Sequence, residues 1–127
     1  MDTSKKKILI VDDEIPILDG LADKFEKEGF GVQKAKDGRE GLLGAVNEHP
    51  DLILLDSRMP NMDGIEMLQK LRGDDWGKNA LVVMLSNSEK QDTKEKAAQL
   101  GVIDYWLKSD VSFKEIVNRS KEILAAK

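Results

Sequence analysis

The sequence predicts an α/β fold: a five-stranded parallel sheet flanked by five helices. Three observations carry that expectation. The continuous apolar runs 8–11, 52–55 and 80–85 are short for helices and lack polar alternation, so they read as strands buried on both faces of a sheet. Each run is followed, after a short connection, by a helical stretch, and this strand-then-helix order occurs five times along 127 residues. Each run also stops at polar residues, as strands do where a core element breaks into a loop.

The elements follow in order. Residues 8–11 form the first strand, ending in Asp12, Asp13 and Glu14. Pro16 suits a first helical turn, and Ile17, Leu18, Leu21, Ala22 and Phe25 keep helical spacing until Gly29 stops the helix. Residues 30–35 alternate weakly and read as an edge-like strand. Asp37 and Glu40 have capping-box spacing, and Leu42, Leu43, Ala45 and Val46 give the second helix its apolar face before Pro50. The central strand, 52–55, ends at Asp56. Asp63 and Glu66 then repeat the capping signal for a third helix through Ile65, Leu68 and Leu71, which Gly73 ends. A loop, 73–79, carries Trp76 to the strand 80–85, which leads into Ser86, Asn87 and Ser88. The fourth helix, 89–100, offers only Ala97, Ala98 and Leu100 as apolar surface, so weak anchoring is expected of it. The last strand, 102–107, ends at Lys108. Ser112 and Glu115 form a third capping signal, for a helix with Phe113, Ile116, Val117, Ile123 and Leu124 on one face.

Composition narrows the function classes. A single domain, residues 1–127 with a core of about 6–125, accounts for the chain, and no effector domain is expected. A net charge of -4 with 35% charged residues, and no basic stripe beyond Lys5, Lys6 and Lys7, argues against direct nucleic-acid binding. Those lysines read as a solvated leader protecting an edge. Without cysteine, thiol catalysis and thiolate zinc sites are excluded, and a reducing compartment fits. His49, beside Pro50, is the lone histidine, which removes histidine-based acid/base and cluster chemistry. No apolar run is long enough for a membrane span and no signal-peptide pattern is present, so a cytoplasmic location is expected.

In a parallel sheet all strand C-termini share one rim, where ligands of open α/β sheets bind. Asp12, Asp13, Asp56, Ser86 and Lys108 therefore converge there. Aspartates brought together repel, and a hard divalent cation with oxygen ligands relieves this; Mg²⁺ is the expected cofactor. A carboxylate so placed can act as a nucleophile toward phosphorus, with an ammonium and a hydroxyl to meet the phosphoryl oxygens. Each residue also has a duller role, as a cap or a solvated strand end, but those roles do not explain the shared rim.

Val11 to Glu14, Leu55 to Gly64, Ser86, and Asp104 to Lys108 together resemble the receiver domain of two-component response regulators, over about residues 6–125. The resemblance implies the flavodoxin-like strand order 2-1-3-4-5. It implies Asp56 as phosphoacceptor, Asp13 and Asp56 as direct Mg²⁺ ligands, Asp12 acting largely through water, and the Arg58 backbone carbonyl as the remaining protein ligand. Lys108 would contact the phosphoryl group, Ser86 would be the switch hydroxyl, Tyr105 the switch aromatic, and Arg58, Asn87 and Ser88 modulating positions. A histidine kinase or phosphotransfer protein would be the donor, the domain catalysing only its own phosphorylation and dephosphorylation. A downstream protein or a second copy would dock on the face of the fourth helix, last strand and last helix.

Two departures from the family pattern stand out. Ser109 replaces the usual proline after Lys108, so a trans peptide is expected there, and Asn87 replaces a smaller residue after the switch hydroxyl. Among rivals, a flavodoxin would need phosphate in a loop that Asp12, Asp13 and Glu14 make repulsive. A dehalogenase-type phosphatase needs an acid where Arg58 stands, and a P-loop enzyme lacks its glycine-lysine loop here. An inactive, receiver-like interaction module is the remaining alternative.

Overall fold

The computed structural model describes residues 6–126. The elements run β1 (Lys7–Val11), α1 (Ile15–Lys27), β2 (Gly31–Ala35), α2 (Gly38–Glu48), β3 (Leu52–Leu55), α3 (Gly64–Arg72), a 3-10 turn (Gly77–Asn79), β4 (Val82–Ser86), α4 (Gln91–Gln99), β5 (Asp104–Leu107) and α5 (Phe113–Ala125). All strand pairs are parallel, in the order β2-β1-β3-β4-β5. This is the doubly wound order expected from the family resemblance.

Alternation within the three inner strands builds two cores. Ile8, Ile10, Leu52, Leu54, Val83 and Leu85 face α1 and α5, where Leu21, Phe25, Ile116 and Leu124 join them together with Trp106 of β5. Leu9, Val11, Ile53, Leu55, Val82 and Met84 face α2, α3 and α4, meeting Ala45, Met67, Leu68, Leu71 and Ala97. Successive side chains thus enter opposite layers, which is why these strands are apolar without a break. The edge strands β2 and β5 stay partly exposed.

Several expected boundaries shift for identifiable reasons. Lys7 belongs to β1, and its N–H donates to Asp51 Oδ2 at 2.8 Å, so it is not part of a leader. Since β1 lies inside the sheet, neither Lys6 nor Lys7 protects an edge there; Lys5 lies outside the described residues. β4 begins at Val82 rather than at 80 because Ala80 donates its N–H to Gly77 and gives its carbonyl to Arg72. α4 starts at Gln91 because 87–90 form a turn in which Ser86 and Ser88 hydroxyls accept from the Ser88 and Lys90 N–H groups. β5 starts at Asp104 because the Val102 N–H closes the end of α4 on Ala97.

Only Ser112 and Glu115 make a reciprocal capping box. Asp37 caps Glu40, but Glu40 reaches back to the Lys36 N–H, one residue early, and Asp63 caps Glu66. The described residues contain no cis peptide bond, in keeping with the expectation at Ser109. His49 takes a left-handed conformation at the end of α2 and stacks on Trp76, ring centroids 4.5 Å apart, so its role is structural.

Candidate functional site

The C-terminal rim of the sheet brings together the residues that end its strands. Asp12 follows β1, Asp56 follows β3, Ser86 closes β4 and Lys108 follows β5. Asp12 and Asp56 are buried, at 2% and 6% exposure, while Asp13 and Glu14 are open to solvent. Oxygens of Asp12, Asp13 and Asp56 lie within 4.8 Å of one another. The buried Lys108 ammonium sits between acids: 2.7 Å from Asp12 Oδ2, 2.8 Å from Glu14 Oε2 and 3.2 Å from Asp56 Oδ2.

The electrostatics follow from this crowding. Burial raises the Asp56 carboxyl to about 6, Lys108 pulling it back and Asp12 adding to the rise. Burial raises Asp12 too, against its bonds to Lys108 and the Glu14 N–H. Burial opposes the Lys108 charge, but its bonds to Asp12 and Glu14 and the charge of Asp56 outweigh that and hold the ammonium protonated. One ammonium thus serves a group of four acids: it contacts Asp12, Glu14 and Asp56, and Asp13 lies beside Asp12 and Asp56. That excess of negative charge, presented by oxygen donors alone, fits a hard divalent ion.

The loop between β3 and α3 is held tightly. A Cβ on Gly64 would lie 2.0 Å from the Asp56 carbonyl oxygen, so only glycine lets α3 begin against the site. On the far side of the loop, Asn61 Nδ2 donates to Asp37 Oδ2 at 2.8 Å, and the Gly38 N–H donates to the Met62 carbonyl at 3.0 Å. Arg58, exposed, donates its N–H to Asp56 Oδ1 at 3.4 Å.

Beside Asp56 lies a cavity of about 210 Å³ lined by Asp13, Arg58, Ser86, Asn87 and Ser88, among others. Asn87 is exposed at its mouth. The half-buried Tyr105 donates its hydroxyl to the Ser88 carbonyl at 2.8 Å, with Lys94 Nζ 5.8 Å from its ring, while Trp106 points into the opposite core. Two residues escape the sequence-based site list. Glu14 shares Lys108, and Ser57, 5% exposed, places its Oγ 2.5 Å from Ser86 Oγ. The register that pairs Leu55 with Met84, continued by two residues, sets Ser57 beside Ser86.

A match to the family model described as "Response regulator receiver domain" spans residues 8–121. The chain belongs to this family. Among curated relatives, the phosphate regulon transcriptional regulatory protein PhoB of Pseudomonas aeruginosa is 35% identical over 94% of this chain and 52% of its own length. The alkaline phosphatase synthesis regulator PhoP of Bacillus subtilis is 40% identical, over 94% and 48%. The chain therefore spans about half the length of these two regulators. It covers 82% of sporulation initiation phosphotransferase F of B. subtilis, at 36% identity and with 81% of this chain matched.

Solved receiver structures agree. A CheY-like receiver from Methanospirillum hungatei superposes with a TM-score of 0.88 at 30% identity, covering 95% of this chain and 94% of that one. CheY from the CheX-CheY-BeF3-Mg complex of Borrelia burgdorferi gives 0.82 at 30% identity, covering 93% and 88%. Receiver domains are signalling modules of phosphorelays that work with histidine kinases and phosphotransfer proteins, and they typically bind Mg²⁺ in an acidic site. This receiver has the acidic cluster for it. No helix among the described residues is long and apolar enough to cross a membrane.

Proposed function

We propose that Asp56 accepts a phosphoryl group from a phosphohistidine on a partner kinase or phosphotransfer protein, and that the resulting aspartyl-phosphate switches a protein-binding face. The observation that carries this reading is the position of Asp56: buried at the end of β3, beside Asp12 and Asp13, with Lys108 at 3.2 Å. In the transfer, an Asp56 carboxylate oxygen forms the new P–O bond while the P–N bond to the donor imidazole breaks, its electron pair staying with the ring nitrogen. Lys108, held by Asp12 and Glu14, meets one phosphoryl oxygen, and Ser86 donates its hydroxyl to another. Asp13, Asp56 and the Arg58 carbonyl would hold Mg²⁺ directly, and Asp12 through water. When bound, the ion draws negative charge off the phosphoryl oxygens.

Arg58, Asn87 and Ser88 border the cavity beside Asp56 and would set how water reaches the phosphoryl group. The proposed output face comprises α4, β5 and α5, where Tyr105 ties β5 to the loop before α4 and would respond when Ser86 moves. A downstream protein or a second copy would bind there, in the cytoplasm, with one receiver unit of about residues 6–125 performing the transfer.

The test is labelling with acetyl phosphate, followed by intact-mass measurement and peptide mapping. Phosphate is expected on Asp56, only with Mg²⁺, and not on Asp56→Asn. Equal labelling of that variant would overturn the assignment, and no labelling of the parent would leave an interaction module. Separately, Mg²⁺ is expected to raise the melting temperature by offsetting repulsion among the aspartates. Asp13→Ala should abolish that rise; an unchanged response would place the ion elsewhere.

A further inference from the structure

The two hydroxyls at the ends of β3 and β4 make a closed pair. Ser86 Oγ, in a residue 1% exposed, has two partners among the described residues: Ser57 Oγ at 2.5 Å and the Ser88 N–H at 2.9 Å. Asp56 is bonded instead to Lys108 and the Arg58 N–H. Ser86 Oγ is thus paired with Ser57 Oγ rather than with Asp56. Ser57 also stands between two spaces, lining both the cavity beside Asp56 and the groove between α3 and α4.

We propose that the Ser57 hydroxyl is a latch that holds Ser86 in the unphosphorylated arrangement and thereby sets how readily the receiver switches. This rests on the reading that Ser86 meets the phosphoryl group. Two effects act in the same direction. To reach a phosphoryl oxygen, Ser86 Oγ must move off Ser57 Oγ and give up the short, buried hydrogen bond between them, whichever hydroxyl donates it, and the Ser57 hydroxyl then loses that partner. Both costs fall on the switched state, so removing the Ser57 hydroxyl shifts the population toward it. Ser57 would act through Ser86, as a positioning residue, without touching the phosphoryl group.

Beryllofluoride, which stands in for the phosphoryl group on Asp56, reports the switch without turnover. Its affinity at saturating Mg²⁺, followed by amide NMR shifts of Ser86, Ser88 and Tyr105, should tighten roughly three- to tenfold in Ser57→Ala, the span of one net hydrogen bond. Ser57→Cys, somewhat larger and only a weak donor, should move the same way. In a Ser86→Ala background, Ser57→Ala should change nothing, because the latch has nothing to hold. Unchanged or weaker binding in both Ser57 variants would overturn the latch, and so would an equal gain in the Ser86→Ala background. Failure of the underlying reading looks different: the parent would not bind beryllofluoride, or Asp56→Asn would bind it as well as the parent.

Discussion

Asp56→Asn is expected to make the metal-free protein more stable at neutral pH, by up to about 3 kcal/mol, while abolishing phosphorylation. The reason is that the folded protein holds this carboxyl at about 6, well above its ordinary 3.8, mainly because it is buried. Between those two values the folded state binds more protons than the unfolded chain, so stability falls as the pH rises through that window. The group's favourable contribution is complete below about 3.8 and is lost as the pH passes about 6. At neutral pH the folded protein carries the cost of an ionised carboxylate in a buried place, and a shift of this size corresponds to about 1.4 kcal/mol per pH unit. Asparagine keeps an acceptor for Lys108 without the charge. Urea unfolding in the presence of a chelator, at about pH 7.5 and about pH 5, reads the difference. The gap between variant and parent should shrink at the lower pH, where the parent's Asp56 is largely protonated. A gap that widens on acidification would mean that Lys108 stabilises the Asp56 carboxylate more than burial penalises it. At this residue the proposed activity would oppose stability: the burial that would ready Asp56 for a metal and a phosphoryl group costs folding free energy at neutral pH.

The parts of this arrangement that were legible in the sequence are those set by continuous or periodic patterns. Leu52–Leu55 reads as a strand because an inner parallel strand is apolar on both faces, and its observed bounds are the expected ones. Asp12, Asp56, Ser86 and Lys108 could be gathered in advance because parallel strands end on one rim. What the sequence did not show depends on register or on distant partners. Ser57 is an ordinary serine beside an aspartate until the pairing of β3 with β4 places it opposite Ser86. Glu14 was visible as an acid, but not as a partner of a lysine 94 positions away. The fourth helix looked poorly anchored for want of apolar residues, and only Ala97 is indeed fully buried. Its ends are tied by polar groups instead: Tyr105 holds the loop before it, and Arg72 holds the carbonyls after it.

Arg72 supplies the second large effect, on stability alone. Its guanidinium donates to four backbone carbonyls: Leu100 at 2.7 Å, Gly77 and Ala80 at 2.8 Å, and Gly101 at 3.2 Å. One side chain at the end of α3 therefore holds the 3-10 turn, the approach to β4 and the exit of α4. Burial depresses its pKa somewhat, yet the guanidinium stays charged, so each of these bonds has an ionised donor. Replacing it by methionine keeps much of the apolar stem and removes all of these donors at once. The carbonyls can regain water only in part, and the expected loss is about 2–4 kcal/mol. Lysine, with a single ammonium in place of a planar fork, can serve only part of the set, so Arg72→Lys should fall between parent and methionine variant. Urea unfolding gives the ranking, and hydrogen exchange should localise it, with protection lost first at the end of α4. Because Arg72 lies at the end of α3 remote from Asp56, acetyl phosphate labelling of the folded variant should proceed at the parent's rate. A methionine variant within about 0.5 kcal/mol of the parent would show that these carbonyls find other donors and that the end of α4 is held by packing instead.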